Sequence, residues 1–369
     1  MRGCRAPWIA GVVLWGVAPS AVVLAQGVGE PAVPDRLKTL REQVKAMHAL
    51  DALQSTDPQT IRELILAELA WSAAFLGEYK PEDSGYMTLV SQGYKAFLGR
   101  IRAEYQDESN KDAFRNALTA QLVALATERL PAADLTLLEG MNLTGALGIS
   151  PKLETLPALK AGLQSKLASV RFECAVLLRA LQAEIVAANQ LPEVVTALRA
   201  AAIAEQNEPT RARLLHALAA PGQIAAVFDA LMTVLDARLE ALRKESAAVG
   251  TDYIVALNYL QSEAERLNPQ QGEAIVRRLA VLLRFAAAQY AAPGERSFEE
   301  EYNLEQTLSQ TEALLTRLTQ QNGQVRKAID EKAADVRQKV LEAGIAWYGS
   351  SDRQGVLSGD PWRVEAGAP

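Results

Sequence analysis

From residue 35 to residue 347 the chain reads as one helix-period segment after another. No stretch alternates apolar and polar residues for long enough to form a half-buried strand. This restricts the chain to an all-α fold, built by packing apolar helix stripes against each other. The prolines support the reading because they fall between periodic runs: Pro58, Pro81, Pro131, Pro151, Pro192, Pro209, Pro221, Pro269 and Pro293. Proline is accepted in a first helical turn, where its missing N–H has no partner to lose. Asp57-Pro58, Ser150-Pro151 and Asn268-Pro269 place a capping side chain just before it. The segments predict helices over 35–54, 57–77, 84–105, 110–130, 132–140, 155–166, 168–188, 191–205, 208–219, 222–247, 252–267, 270–291, 297–321 and 324–347.

Punctuation divides these segments into regions. Residues 26–34 are a Gly/Pro-rich linker, and 35–148 form an N-terminal helical bundle ending in a Gly-rich break from Gly140 to Gly148. Residues 150–292 carry a repeat signal. Residues 297–348 form a C-terminal αα-hairpin turning at Asn322-Gly323. The spacing of Leu304, Leu308, Leu315, Leu318, Val325 and Ile329 also suits a continuous dimerising coiled coil. A mid-helix glycine costs about 1 kcal/mol, which favours the hairpin and a monomer. Residues 349–369 are polar and Gly-rich and are expected to be disordered.

The repeat signal lies in the central block. Leu156-Pro157-Ala158-Leu159 opens one helix, and Ser169-Val170-Arg171 opens its partner, with Val170, Cys174, Leu177, Leu178, Leu181 and Ile185 as a stripe. Leu191-Pro192-Glu193-Val194 restarts the pattern, and Glu208-Pro209-Thr210-Arg211 opens the next partner, with Leu214, Leu215 and Leu218 inward. Residues 156–219 resemble HEAT-like repeats, which pair a helix starting near Leu-Pro with one starting near Val-Arg. The resemblance is best over 156–188; at 210–211 Thr-Arg replaces Val-Arg. It implies an α-solenoid of stacked helix pairs that binds a protein partner along an exposed face. Arg171, Arg179, Arg211 and Arg213 are the candidate partner-binding residues.

The N-terminus bears on compartment. Arg2 and Arg5 precede an apolar run from Ala6 to Leu24, and Val23-Leu24-Ala25 offers a signal-peptidase site before Gln26. This is the layout of a signal peptide, residues 1–25, predicting export to the periplasm or medium. An uncleaved membrane anchor is the alternative. Removing Arg2 and Arg5 shifts the net charge from −6 to −8. An acidic chain without a dense Lys/Arg cluster argues against nucleic-acid binding. Cys174 is the one thiol left after Cys4, so no internal disulfide is available and its position on an apolar stripe predicts burial.

No constellation for catalysis stands out. His48 and His216 are the only histidines, and Lys45 and Arg213 stand where a helical metal site would need a carboxylate. They read as isolated surface histidines. The glycines at 140, 145 and 148 lack a following Lys-Ser/Thr, and no Gly-x-Ser-x-Gly occurs. The chain therefore reads as non-enzymatic and needing no metal or cofactor. Aromatics concentrate between Trp71 and Tyr105, with Trp71, Phe75 and Tyr79 on one helix face. Core packing is the simpler account. The alternative is an aromatic groove, Trp71, Tyr79 and Tyr86, with Glu68, Glu78, Glu82 and Asp83 nearby, in a protein that binds or hydrolyses a cell-envelope polymer. Glu299-Glu300-Glu301 reads as first-turn capping. Arg277, Arg278 and Arg284 form the strongest local basic cluster, and Asn142-Leu143-Thr144 has the pattern of a glycosylation sequon.

Overall fold

A computed structural model describes residues 30–244 and 248–365. The signal segment and the start of the linker lie outside the described residues. Among the described residues there is no strand. Sixteen α-helices follow in order: α1 (Asp35–Met47), α2 (Asp57–Ala73), α3 (Tyr86–Gln106), α4 (Asp112–Arg129), α5 (Leu137–Leu147), α6 (Leu156–Gly162), α7 (Ala168–Ala180), α8 (Gln182–Ala187), α9 (Leu191–Ala204), α10 (Glu208–Leu218), α11 (Ile224–Arg243), α12 (Thr251–Glu263), α13 (Pro269–Ala291), α14 (Phe298–Thr319), α15 (Val325–Asp330) and α16 (Val336–Tyr348).

Local chemistry accounts for most boundaries. Pro58, Pro157, Pro192, Pro209 and Pro269 sit in first turns. Asn268 and Ser297 close reciprocal capping boxes with Gln271 and Glu300, satisfying amides that a helix start leaves without partners. Glu300 is thus a cap, as the sequence suggests. Thr136 and Asn207 cap α5 and α10 in the simpler way, each accepting one backbone N–H.

Helix contacts run in two series. In one, α3 packs on α5, α5 on α7, α7 on α10, α10 on α12 and α12 on α14. In the other, α2 packs on α4 and α4 on α6, then α9 on α11, α11 on α13 and α13 on α16. Sequence neighbours bridge the two series, as α6 does with α7, α9 with α10 and α13 with α14. One apolar cluster runs from Leu37 in α1 to Val364 near the end, without a break at residue 149.

Three expectations about organisation change. The Gly-rich break at 140–148 is mostly helix α5. A β-carbon at Gly140 would stand 2.6 Å from Val170 Cγ2, and one at Gly145 2.9 Å from the Tyr94 ring. These glycines let α7 and α3 approach α5, and that packing outweighs their poor helix propensity. The tail is not disordered over 349–365. Leu357 is fully buried, Val364 N–H donates to Leu357 O at 2.9 Å, and Arg277 and Arg284 donate to the carbonyls of Trp362 and Glu365. Finally, the helix expected over 324–347 is broken into α15 and α16.

Residues 320–324, between α14 and α15, are not helical. Buried Glu312 of α14 accepts from the backbone N–H of Val325 (2.7 Å) and Arg326 (2.9 Å) and from Trp347 Nε1 (3.1 Å). One carboxylate thus caps α15 and anchors α16.

Candidate interaction surface

The series α5–α7–α10–α12 holds the candidate site, and a repeated electrostatic tie builds it. Arg171, in the first turn of α7, donates from Nε and Nη2 to both oxygens of Glu205, at 2.6 and 2.8 Å. Its Nη1 donates to the carbonyl of Ser165, six residues earlier. Arg211 repeats this in α10. Its Nε donates to Asp252 Oδ2 at 2.6 Å, and its Nη1 to the carbonyl of Glu205, again six residues earlier. Arg238 of α11 donates to the same Asp252 oxygen at 2.9 Å. Each arginine therefore binds back to the loop before its own helix and forward to an acid of the following pair. A fork of fixed N–H groups suits this role.

The acids are enclosed. Asp252 is 1% exposed and Glu205 3%. Burial pushes the Glu205 carboxyl up, but the Arg171 fork and the Asn207 amide outweigh it, so its pKa falls below the usual carboxylate range.

Two of the four predicted arginines are therefore not surface contacts. Arg211 is 4% exposed and Arg171 only partly exposed; both are tied to acids of later segments. The sequence marked their repeated position but not their partners, which lie 34 and 41 residues away. Arg179 and Arg213 differ. Arg179 Nη1 donates to Ala219 O at 2.7 Å and to the Gln182 side chain. Arg213 is exposed, with its guanidinium 5.3 Å over the Phe172 ring. Among the described residues neither faces a carboxylate at ion-pair distance.

Around them lies a continuous outer face of α7 and α10. Phe172, Val176 and Arg179 follow at helical spacing on α7, and Arg213 and His216 one turn apart on α10. Val176 is among the exposed large apolar residues. Partial desolvation, then the charges of Arg179 and Arg213, hold the His216 pKa below its ordinary value. Glu173 closes the edge toward α3. Desolvation raises its carboxyl, with Arg213 opposing. His216 is exposed, as expected, but His48 is a correction. It is buried against Phe114, with Nε2 2.8 Å from Glu104 Oε2.

The 71–105 aromatics do not form an open groove. Trp71 is 5% exposed, donates from Nε1 to Pro31 O and meets Phe75 edge-on. Tyr86 is buried against Val90 and Leu138, and only Tyr79 is open to solvent. Glu68 lies buried in a two-point contact with Arg41, at 2.7 and 2.9 Å. Asp83 Oδ2 accepts the Lys80 amide in a turn. This is core and turn chemistry.

The basic cluster on α13 borders an open pocket of about 440 Å³ against α11, lined by Asp236, Glu240, Arg243, Arg277 and Arg278. Its cations are already matched: Arg278 to Asp236, Arg277 to Glu273 and Arg243 to Glu240. The sequon Asn142 is fully buried, with Nδ2 donating to Ser72 Oγ, which closes it to modification in the folded chain. Among the described residues no His/Cys/Asp/Glu group suits a metal ion, and no helix is long and apolar enough to cross a membrane. In comparisons with family models, curated proteins and solved structures, nothing matches this chain.

Proposed function

We propose that this protein is an exported, non-enzymatic helical-repeat scaffold, a HEAT-like solenoid that binds a protein partner along the α7–α10 face. The observation that carries the reading is the repeated tie. Arg171 and Arg211 occupy matching places in successive helix pairs, bind back to the preceding loop in the same way, and reach forward to an acid of the next unit. Similar joints between neighbours are what a stacked array needs, since each pair has too little apolar surface to stand alone. Such arrays offer broad faces whose binding energy is spread over several side chains. Phe172, Val176, Arg179, Arg213 and His216 supply one here.

The test places a photo-crosslinking residue at Val176 and, as a control, at Leu66 on α2, both exposed. In the exported fraction, Val176 should capture one discrete protein and Leu66 should not. Equal capture at both sites, or none at Val176, overturns the scaffold reading. Export has its own check: N-terminal sequencing of the mature protein should begin at Gln26. A chain beginning at Met1 and sedimenting with membranes would establish the anchor instead.

A further inference from the structure

The arginines along this series fall into two groups. Arg171, Arg211, Arg266 and Arg317 each face a carboxylate: Glu205, Asp252, Glu263 and Glu265. Arg179 and Arg213 have no carboxylate at ion-pair distance among the described residues, although Glu173 lies within electrostatic reach of Arg213, in a chain whose acids outnumber its bases. They flank His216, and all three border the apolar surface of Phe172 and Val176. The Arg213 guanidinium lies over the Phe172 ring, which fixes it without using its N–H edge. That edge remains available for a two-point contact with a carboxylate.

We infer that the α7–α10 face is a docking site for an acidic peptide segment of a partner protein, whose carboxylates bridge Arg179 and Arg213 across Val176 and His216. The inference rests on the scaffold reading and adds the chemistry of the partner. Charge complementarity is the argument: two positive side chains without an ion-pair partner among the described residues outweigh the single charge of Glu173, and so select a negative partner and repel a basic one. Phe172 and Val176 supply the apolar floor on which the partner's backbone lies. The groups facing His216 agree in sign. Arg179 approaches from α7 and Arg213 from α10 itself, and both oppose its protonation. Glu173, exposed one turn before Val176 on α7, is opposite in sign and within electrostatic reach of Arg213, and Tyr259 of α12 lies on the Arg179 side. A bound carboxylate would reverse that field and raise the imidazole pKa.

The probes are a short fluorescein-labelled peptide of glutamate and alanine and its lysine counterpart, titrated against the full chain at low salt. The glutamate peptide should bind and the lysine peptide should not. The double variant Arg179→Glu, Arg213→Glu should weaken binding by about tenfold or more. Arg326→Glu, at an exposed side chain of α15, should leave it unchanged, and far-UV circular dichroism should match for all three chains. Saturating peptide should move the His216 titration, followed by its imidazole NMR signals, to higher pH. Failure of the glutamate peptide to bind, equal binding by the double variant, or an unmoved His216 titration overturns the inference. If Val176 still cross-links a discrete partner while the glutamate peptide fails, the scaffold stands and the acidic partner falls. If the peptide binds but Val176 captures nothing, the charge preference stands and the scaffold reading falls.

Discussion

Asp252 is the most exacting test of how the helix pairs are joined. It is 1% exposed, and one of its oxygens takes hydrogen bonds from both Arg211 and Arg238. Asp252→Ala leaves Arg211, itself almost fully buried, without its counter-charge. Breaking a buried pair by removing one partner costs about 3–5 kcal/mol. Two features place this case at the low end. Arg211 keeps its bond to the Glu205 carbonyl, and the Arg238 side chain, 14% exposed, has a route to water. The expected loss is therefore about 3 kcal/mol, read as a fall in the urea midpoint. Native-state hydrogen exchange should show the loss first in α10 and α12, on either side of the broken joint. Replacing both charges, Arg211→Met with Asp252→Leu, should recover most of the stability, because it removes the desolvation cost along with the attraction. A cost for Asp252→Ala below about 1 kcal/mol, the level of an exposed ion pair, would refute the claim that this tie holds the units together. So would a double variant no better than the single one.

Four further expectations follow from the same packing. Cys174 is fully buried and its thiol is pushed well above the ordinary range by burial, so it should label slowly when native and quickly in urea; Cys174→Asp should destabilise strongly by enclosing an unpaired carboxylate, and fast native labelling would contradict the packing. Gly140→Val should cost about 1–3 kcal/mol by overpacking against Val170, measured by thermal melting; an unchanged melting temperature would mean that α5 and α7 are free to separate. The depressed pKa of Glu205 gives a sign for pH: its tie is fully present above the usual glutamate value of about 4.3 and is lost as pH falls through the lower folded value, so Glu205→Gln should flatten the acid limb of a stability-against-pH curve. His216, with its pKa held low, adds a small loss of stability as pH drops below about 6.5, which His216→Gln should remove.

The helices were legible because their signals are local. Apolar spacing, prolines in first turns and capping residues act within a turn or two of chain, so fold class and most boundaries followed from the sequence. The burial of Cys174 followed likewise from its place on a stripe. The aromatic run was partly readable: Trp71 and Phe75 lie in core, as their helical spacing implied, whereas Tyr79 of the same series is exposed. The misreadings share a cause. Gly140 to Gly148 looked like a break because glycine disfavours helix locally; its value there is to let α3 and α7 come close, which depends on residues far along the chain. Leu357 and Val364 looked like strays in a polar tail because their partners lie elsewhere in the fold.

The candidate site divides in the same way. The sequence determined that Arg171, Arg179, Arg211 and Arg213 sit near the openings and ends of two similar helix pairs. It could not sort them, since all four are arginines at polar positions of amphipathic helices. Stacking α7 on α10 and α10 on α12 decided the matter. It carried Glu205 and Asp252 to Arg171 and Arg211, which became internal joints, and among the described residues brought no carboxylate to ion-pair distance of half-buried Arg179 or exposed Arg213. Periodicity specifies which face of a helix is buried; which charge meets which depends on how the helices stack, and only the tertiary structure fixes that.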